Sequence, residues 1–87
     1  MPYITQKQKD RLGREAISNC GQFIETSGEL NYLITDLCKH FIKQHGSKYS
    51  TYNDVIGVLE CSKQELYRRV VSLYEDEKRL INGDVYD

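Results

Sequence analysis

The side chains best suited to bind a ligand lie in the segment Tyr67-Arg68-Arg69. Guanidinium groups match carboxylate or phosphate groups with paired hydrogen bonds, and tyrosine rings can stack on a base or another ring. The chain has seven tyrosines and no tryptophan. Tyrosine is favoured in interfaces and ligand pockets because it is amphipathic. These three residues and nearby Tyr74 form a candidate binding surface. The alternative is that the tyrosines complete a small core with their hydroxyls in water.

Catalytic groupings are not evident in the sequence. The six glycines are scattered and form no phosphate loop. Glu75 and Glu77 project in different directions from a helix, and they could hold a divalent metal only if Glu25 and Glu29 supplied the opposing side. The two histidines lie on different helix faces, and no Cys-x-x-Cys pair is present. We therefore predict no enzyme activity, no cofactor and no metal site.

Composition and charge are those of an ordinary folded domain. The sequence is 39% apolar and 29% charged, which argues against a disordered chain. Twelve basic and 13 acidic residues give a net charge of −1, so bulk charge does not favour nucleic acid or an anionic membrane. We predict a single helical domain over residues 1–87, with flexible tails at about 1–5 and 82–87.

The chain has three cysteines, at Cys20, Cys38 and Cys61. Their odd number and wide spacing argue against a closed disulfide framework. Each lies on or beside an apolar helical stripe, so we expect reduced thiols in the core of a cytoplasmic protein. Residues 1–4 open a polar run without an apolar signal segment, and no stretch approaches transmembrane length. The expected location is the cytoplasm, with no membrane contact.

Helix A is predicted over about residues 6–25. Thr5 followed by Gln8 is a capping-box pattern, and apolar residues then recur at helical spacing. Gly13 weakens the middle of this helix and could interrupt it.

Helix B is predicted over about residues 28–45 and has the clearest amphipathic pattern in the chain. Thr26 followed by Glu29 is a second capping-box pattern. Gly46 stands where a glycine commonly ends a helix.

Helix C is predicted over about residues 52–80, with Ser50 or Thr51 as its cap. Ser62, followed by a glutamate three residues later, could cap a separate helix and break this one near Cys61-Ser62. The apolar positions on both sides stay in phase, and neither glycine nor proline lies in the break itself. We favour one long helix, with two shorter helices as the alternative.

The predicted fold class is all-α, because no segment shows the strict alternation of a strand. We expect a small three-helix bundle in which helices A and B form an antiparallel hairpin through residues 26–28, and helix C packs across both. Beyond about Leu73, helix C would overhang the bundle with apolar residues such as Tyr74 and Ile81. Such an overhang needs a partner, so we predict a homo-oligomer, most simply a two-fold dimer.

Residues 55–70 resemble a helix-turn-helix motif. Its packing and capping positions are matched by Val55, Leu59, Ser62, Leu66 and Val70. The resemblance implies DNA binding, with residues 67–69 on the recognition helix. The segment differs at Ile56, where the motif carries a small residue, and at Glu60, where it carries glycine. The acidic residues 75–77 that follow would also repel phosphates.

Five stretches along the chain carry a second resemblance. They are MPYI at 1–4, GELNY at 28–32, IGVLEC at 56–61, ELYRRV at 65–70 running to YEDEK at 74–78, and NGDVY at 82–86. In these stretches the chain is similar to a family of small, uncharacterised proteins of bacteriophages and bacteria. The resemblance implies a phage or prokaryotic accessory protein, in the host cytoplasm if phage-encoded, and it carries over no site. In such relatives the position of Ser62 is often apolar, which favours an unbroken helix C.

The function we predict is a non-enzymatic, oligomeric binding module. It would present its side chains to a host protein or to a small anionic ligand such as a nucleotide. The candidate ligand- or partner-binding residues are Asn31, Tyr32, Tyr67, Arg68, Arg69 and Tyr74. The alternative function is a helix-turn-helix DNA-binding protein.

Overall fold

The computed structural model describes residues 2–86, which form five α-helices and one π-helical turn. No strand occurs within these residues. The all-α class and the long C-terminal helix are therefore confirmed. In chain order the elements are α1 (Gln6–Leu12), α2 (Arg14–Gly21), α3 (Ser27–His45), α4 (Tyr49–Leu66), the π turn (Tyr67–Val71) and α5 (Ser72–Asn82).

Helix A is present and is interrupted at Gly13, the position where the sequence allows a break, but it is shorter than predicted. The capping box forms as expected: the Gln8 N–H donates to Thr5 Oγ1 at 3.1 Å, and the Thr5 N–H donates to Gln8 Oε1 at 2.8 Å. Gly13 has a φ of +80°, a conformation that favours glycine, and it separates α1 from α2. The second part ends at Gly21, where the chain turns, instead of continuing to residue 25.

Helix B is confirmed as α3. The Glu29 N–H donates to Thr26 Oγ1 at 3.1 Å, which caps the helix. The Glu29 carboxylate accepts the Glu25 N–H at 2.9 Å, so it holds the residue before the cap. Gly46, with a φ of +104°, ends the helix by donating its N–H to the Ile42 carbonyl at 2.8 Å.

Residues 49–82 form one continuous helix, which is about 50 Å long at 1.5 Å per residue. This length matches the 50 Å longest dimension of the molecule. The preferred long helix is confirmed, and the alternative break is wrong because Ser62 lies inside α4. The predicted start is also wrong. Lys48 takes the capping position without a side-chain cap, while Thr51 lies within the first turn and is only 3% exposed.

The helical hairpin forms between α3 and α4, which contact each other and are joined by residues 46–48. No Cα atom of α1 or α2 lies within 8 Å of α3, α4 or α5 in the described residues. The predicted packing of helix A against helices B and C is therefore wrong. A three-residue loop, residues 46–48, turns the chain straight back along α3, whereas residues 22–26 join α2 to α3 without a comparable hairpin.

A single chain leaves its apolar side chains without a core. The accessible surface is 8159 Å², about 2,800 Å² more than the roughly 5,300 Å² of a compact monomer of this mass. The radius of gyration is 16.8 Å, against about 12 Å for a compact domain of this length. No apolar residue within 2–86 is buried. The expectation of core cysteines is wrong for Cys20 and Cys61, which are exposed, while Cys38 is half-buried.

Gly57, in the middle of α4, offers a direct test of this open surface. A Cβ at this position would meet no atom within 4 Å. Because alanine is the better helix former, Gly57→Ala is expected to raise the free energy of unfolding by about 1 kcal/mol, measured by urea denaturation.

Gly46→Ala is the matched control, because its φ of +104° strains any other residue. It is expected to lower the free energy of unfolding by about 1–2 kcal/mol. A loss of stability in Gly57→Ala would contradict an open surface at this position, because it would require an atom of the same chain or of a partner chain to lie against Gly57.

Candidate functional site

The long helix contains one π-helical turn, at Tyr67–Val71. The Ser72 N–H donates to the Tyr67 carbonyl, five residues earlier. The Arg68 carbonyl, which would accept this N–H in a regular α-helix, accepts the Ser72 hydroxyl instead at 2.8 Å. The serine side chain thus satisfies the carbonyl that the wider turn bypasses. Turns of this type occur frequently at functional sites, and this one carries the predicted arginines.

The N-terminal residues reach back to the edge of the π turn. The Tyr3 hydroxyl donates to the carboxylate of Glu65, in the last turn of α4. Arg68 Nη2 donates to the two oxygens of the same carboxylate at 3.0 and 3.1 Å, and it lies 3.3 Å from the Tyr3 hydroxyl oxygen. One carboxylate therefore holds both the arm, defined here as residues 2–5, and the first arginine of the segment.

These contacts shift the pKa values of all three groups. The hydrogen bond from Tyr3, followed by that from Arg68, lowers the pKa of Glu65. The hydrogen bond to Glu65 raises the pKa of Tyr3, and burial adds to this effect. The hydrogen bond to Glu65 also raises the pKa of Arg68. At neutral pH the cluster therefore contains a carboxylate, a neutral phenol and a guanidinium ion.

Arg69 lies beside this cluster and faces a shallow cleft. No side-chain hydrogen bond or ion pair of Arg69 is found within residues 2–86. Arg68 is engaged by Glu65, so Arg69 is the arginine of this segment that can pair with an added anion. The cleft has a volume of about 300 Å³ and is lined by Pro2, Ser62, Glu65, Leu66, Arg69 and Val70.

Four of the six predicted site residues lie in or next to the π turn. Residues 67–69 form its first part, and Tyr74 follows in the first turn of α5. Tyr67 and Tyr74 are 54% and 56% exposed. The ammonium group of Lys78 lies 5.6 Å from the centroid of the Tyr74 ring, so this ring already has a cation nearby.

Asn31 and Tyr32 lie on α3, and the structure does not bring them to the π turn. Within the described residues, no Cα atom of α3 lies within 8 Å of that turn or of α5. The Asn31 carbonyl accepts the Thr35 hydroxyl at 2.8 Å. Tyr32 borders a separate, largely apolar cleft of about 300 Å³, whose other lining residues are Cys20, Phe23, Ile24, Glu29 and Leu33.

Tyr3 and Glu65 belong to the site, although neither is among the residues predicted from the sequence. The spacing of Glu65 and Arg68, three residues apart on a helix, is a signal that could have indicated their ion pair. Tyr3 lies 62 residues from its partner, and nothing in the local sequence indicates that contact.

The structure also bears on the predicted helix-turn-helix motif, on metal binding and on membrane spanning. Residues 55–66 form one uninterrupted helix, so the turn required by the helix-turn-helix motif is absent from this segment. Asp36 and His40, four residues apart on α3, lie side by side, with 3.4 Å between Asp36 Oδ2 and His40 Nε2. In the part of the chain described, no three acidic, histidine or cysteine side chains are grouped so that they could hold a metal ion. No helix within residues 2–86 has the length and apolar character needed to cross a membrane.

These features define an all-helical protein whose candidate site is a π turn carrying arginine and tyrosine. The chain belongs to the family described as "Domain of unknown function (DUF6899)", whose model matches residues 1–85. The matched range includes every helix, the N-terminal arm and the π turn. Comparison with curated proteins gives no match, and neither does comparison with solved structures.

The contact between Tyr3 and Glu65 is expected to be limited to a range of pH. The pKa of Glu65 is lowered from its ordinary value of 4.5 in the folded chain. The carboxylate therefore stabilises the fold above pH 4.5, and this stabilisation is lost as the pH falls through the lowered pKa. The pKa of Tyr3 is raised from its ordinary value of 10.0. The neutral phenol therefore stabilises the fold below pH 10.0, and this stabilisation is lost as the pH rises through the raised pKa.

Carbon-13 NMR of labelled tyrosine rings tests this contact. The Tyr3 signal is expected to titrate above pH 10.0 in the wild type and to move down in Glu65→Gln. Glu60→Gln is the matched control, because the pKa of Glu60 is lowered by Gln64 and Lys63 instead. Titration of wild-type Tyr3 at its ordinary value would show that the arm does not contact Glu65 in solution.

Proposed function

We propose that this protein is a non-enzymatic binding module that works as a homo-oligomer, most simply a two-fold dimer. The observation that carries the proposal is the missing core of the single chain. Its surface exceeds that of a compact monomer by about 2,800 Å². Burial of apolar surface is the main favourable contribution to folding and association, so this chain gains most of its stability by associating.

The proposed ligand is a small anion such as a nucleotide, or an acidic group on a host protein. Arg69 supports this choice because it is exposed beside the 300 Å³ cleft and lacks an intrachain partner within residues 2–86. Tyr67 and Tyr74 add exposed rings on the same stretch of helix. The similarity noted above favours an accessory protein of a bacteriophage or bacterium, acting in the cytoplasm. Asn31 and Tyr32 would belong to a second contact surface on α3.

The assembly state is tested by light scattering after size-exclusion chromatography at micromolar concentration. The expected mass is a multiple of the 10.2 kDa chain mass, and the simplest expectation is the dimer. Native mass spectrometry of protein purified from its own host would report the number of subunits and any retained small molecule together. A mass equal to that of one chain in both measurements would overturn the proposed oligomer.

The ligand is tested by thermal unfolding with a panel of nucleotides and inorganic phosphate. A ligand present at 100 times its Kd is expected to stabilise the folded state by about 2.7 kcal/mol. Arg69→Ala is expected to remove this effect. Arg11→Ala, which deletes an exposed arginine in the last turn of α1, is the matched control and should retain it.

Two outcomes would contradict the ligand proposal. A flat panel with the wild type would exclude this class of small anion. A salt-sensitive shift of duplex DNA that Arg69→Ala abolishes would favour DNA binding in its place.

A further inference from the structure

The two ends of the long helix carry opposite charge. At the α3–α4 turn, residues 37–53 contain Lys39, Lys43 and Lys48 but no carboxylate. Lys39 and Lys43 border one cleft of about 510 Å³ near that turn, together with Asp36, His40, Ile42 and Ser47. The Asp36 carboxylate lies beside His40 and does not pair with these lysines. This end of the molecule, here called the basic turn, is therefore cationic at neutral pH.

The opposite end, in α5, carries consecutive carboxylates at residues 75–77. Within residues 2–86 these carboxylates make no ion pair, because Arg79 pairs with Asp84 at 3.8 Å and Lys78 lies over the Tyr74 ring. The helix from Lys48 to Asp76 is about 40 Å long at 1.5 Å per residue. Charges separated by more than about 8 Å are largely screened at physiological salt, so these carboxylates and the basic turn cannot neutralise each other within one chain.

The apolar side chains of α5 also lack a cover. In the described residues, α5 contacts no element except the π turn. Leu73, Leu80 and Ile81 are 63%, 82% and 67% exposed. A standard interface buries about 800 Å² per partner, and the excess surface of about 2,800 Å² per chain is more than enough to supply it.

We propose that α5 of each chain binds along the α3–α4 hairpin of a second copy, in an antiparallel two-fold dimer. This inference rests on the proposed oligomer and specifies its geometry. Antiparallel pairing brings residues 75–77 of one copy to the basic turn of the other, twice by symmetry. Parallel pairing would place residues 75–77 of one chain against residues 75–77 of the other, where like charges repel. Charge complementarity therefore selects the antiparallel arrangement and a second copy as the occupant.

Zero-length cross-linking tests the geometry directly. A carbodiimide joins a lysine to a carboxylate that it contacts, and a mixture of nitrogen-14 and nitrogen-15 protein identifies links between chains. The expected products join Lys39, Lys43 or Lys48 of one chain to residues 75–77 of another. If the protein is an oligomer but yields no such interchain links, the antiparallel geometry is wrong while the proposed oligomer stands. If the protein is monomeric by light scattering, both proposals fail.

Charge reversal provides an independent measurement. Lys39→Glu with Lys43→Glu is expected to raise the dimer dissociation constant about tenfold or more, because like charges then meet. Glu75→Lys with Glu77→Lys is expected to do the same, and combining the four changes should restore association. This restoration requires the two clusters to meet, so it does not arise from a general loss of folding.

Lys7→Glu with Arg11→Glu is the matched control, since it changes the net charge equally on exposed positions of α1. It should leave the dissociation constant unchanged. Equal weakening by the control and the basic-turn variant, or no rescue by the fourfold variant, would overturn the antiparallel pairing.

Discussion

α3 has 19 residues and so reaches about 28 Å, whereas the helix it packs against, residues 49–82, extends for about 50 Å. A helix in water gains most of its stability when a neighbour covers its apolar face. One hairpin partner of this length can cover little more than half of the long helix. The exposed face of α5 therefore follows from the lengths of the chain's own elements. The absence of a core has a further cause, because α1 and α2 do not cover the hairpin, and Leu37 of α3 and Ile56 of α4 stay 70% and 65% exposed.

The helices could be predicted because their signals are local. Thr5 with Gln8, and Thr26 with Glu29, cap their helices much as the spacing indicates, and Gly46 ends α3. The choice of helix pair could not be predicted in the same way, because similar apolar stripes occur on all three predicted helices. The spacing of apolar residues along each helix therefore does not distinguish between the possible pairs.

The candidate site was predictable in its residue types but not in its arrangement. Arg68 and Arg69 are adjacent in the sequence, yet Glu65 engages the first and leaves the second open. The spacing of Ser62 and Glu65 is typical of a helix cap, whereas in the folded chain the Glu65 carboxylate binds the N-terminal arm. The π turn has no glycine or proline to mark it, and its hydrogen bond from Ser72 to Arg68 is visible only in three dimensions.

The position of the π turn has a consequence for the leucines on either side of it. Leu59, Leu66, Leu73 and Leu80 recur every seven residues, a spacing that would form one ridge on an uninterrupted α-helix. The π turn lies between Leu66 and Leu73 and adds one residue to a single helical turn, which rotates everything after it by about 100°. The ridge is thereby divided into two leucine pairs that face different directions. The pair before the turn includes Leu59, which is 37% exposed, and the pair after it includes Leu80, which is 82% exposed, so the two parts of one long helix offer their leucines to different surroundings.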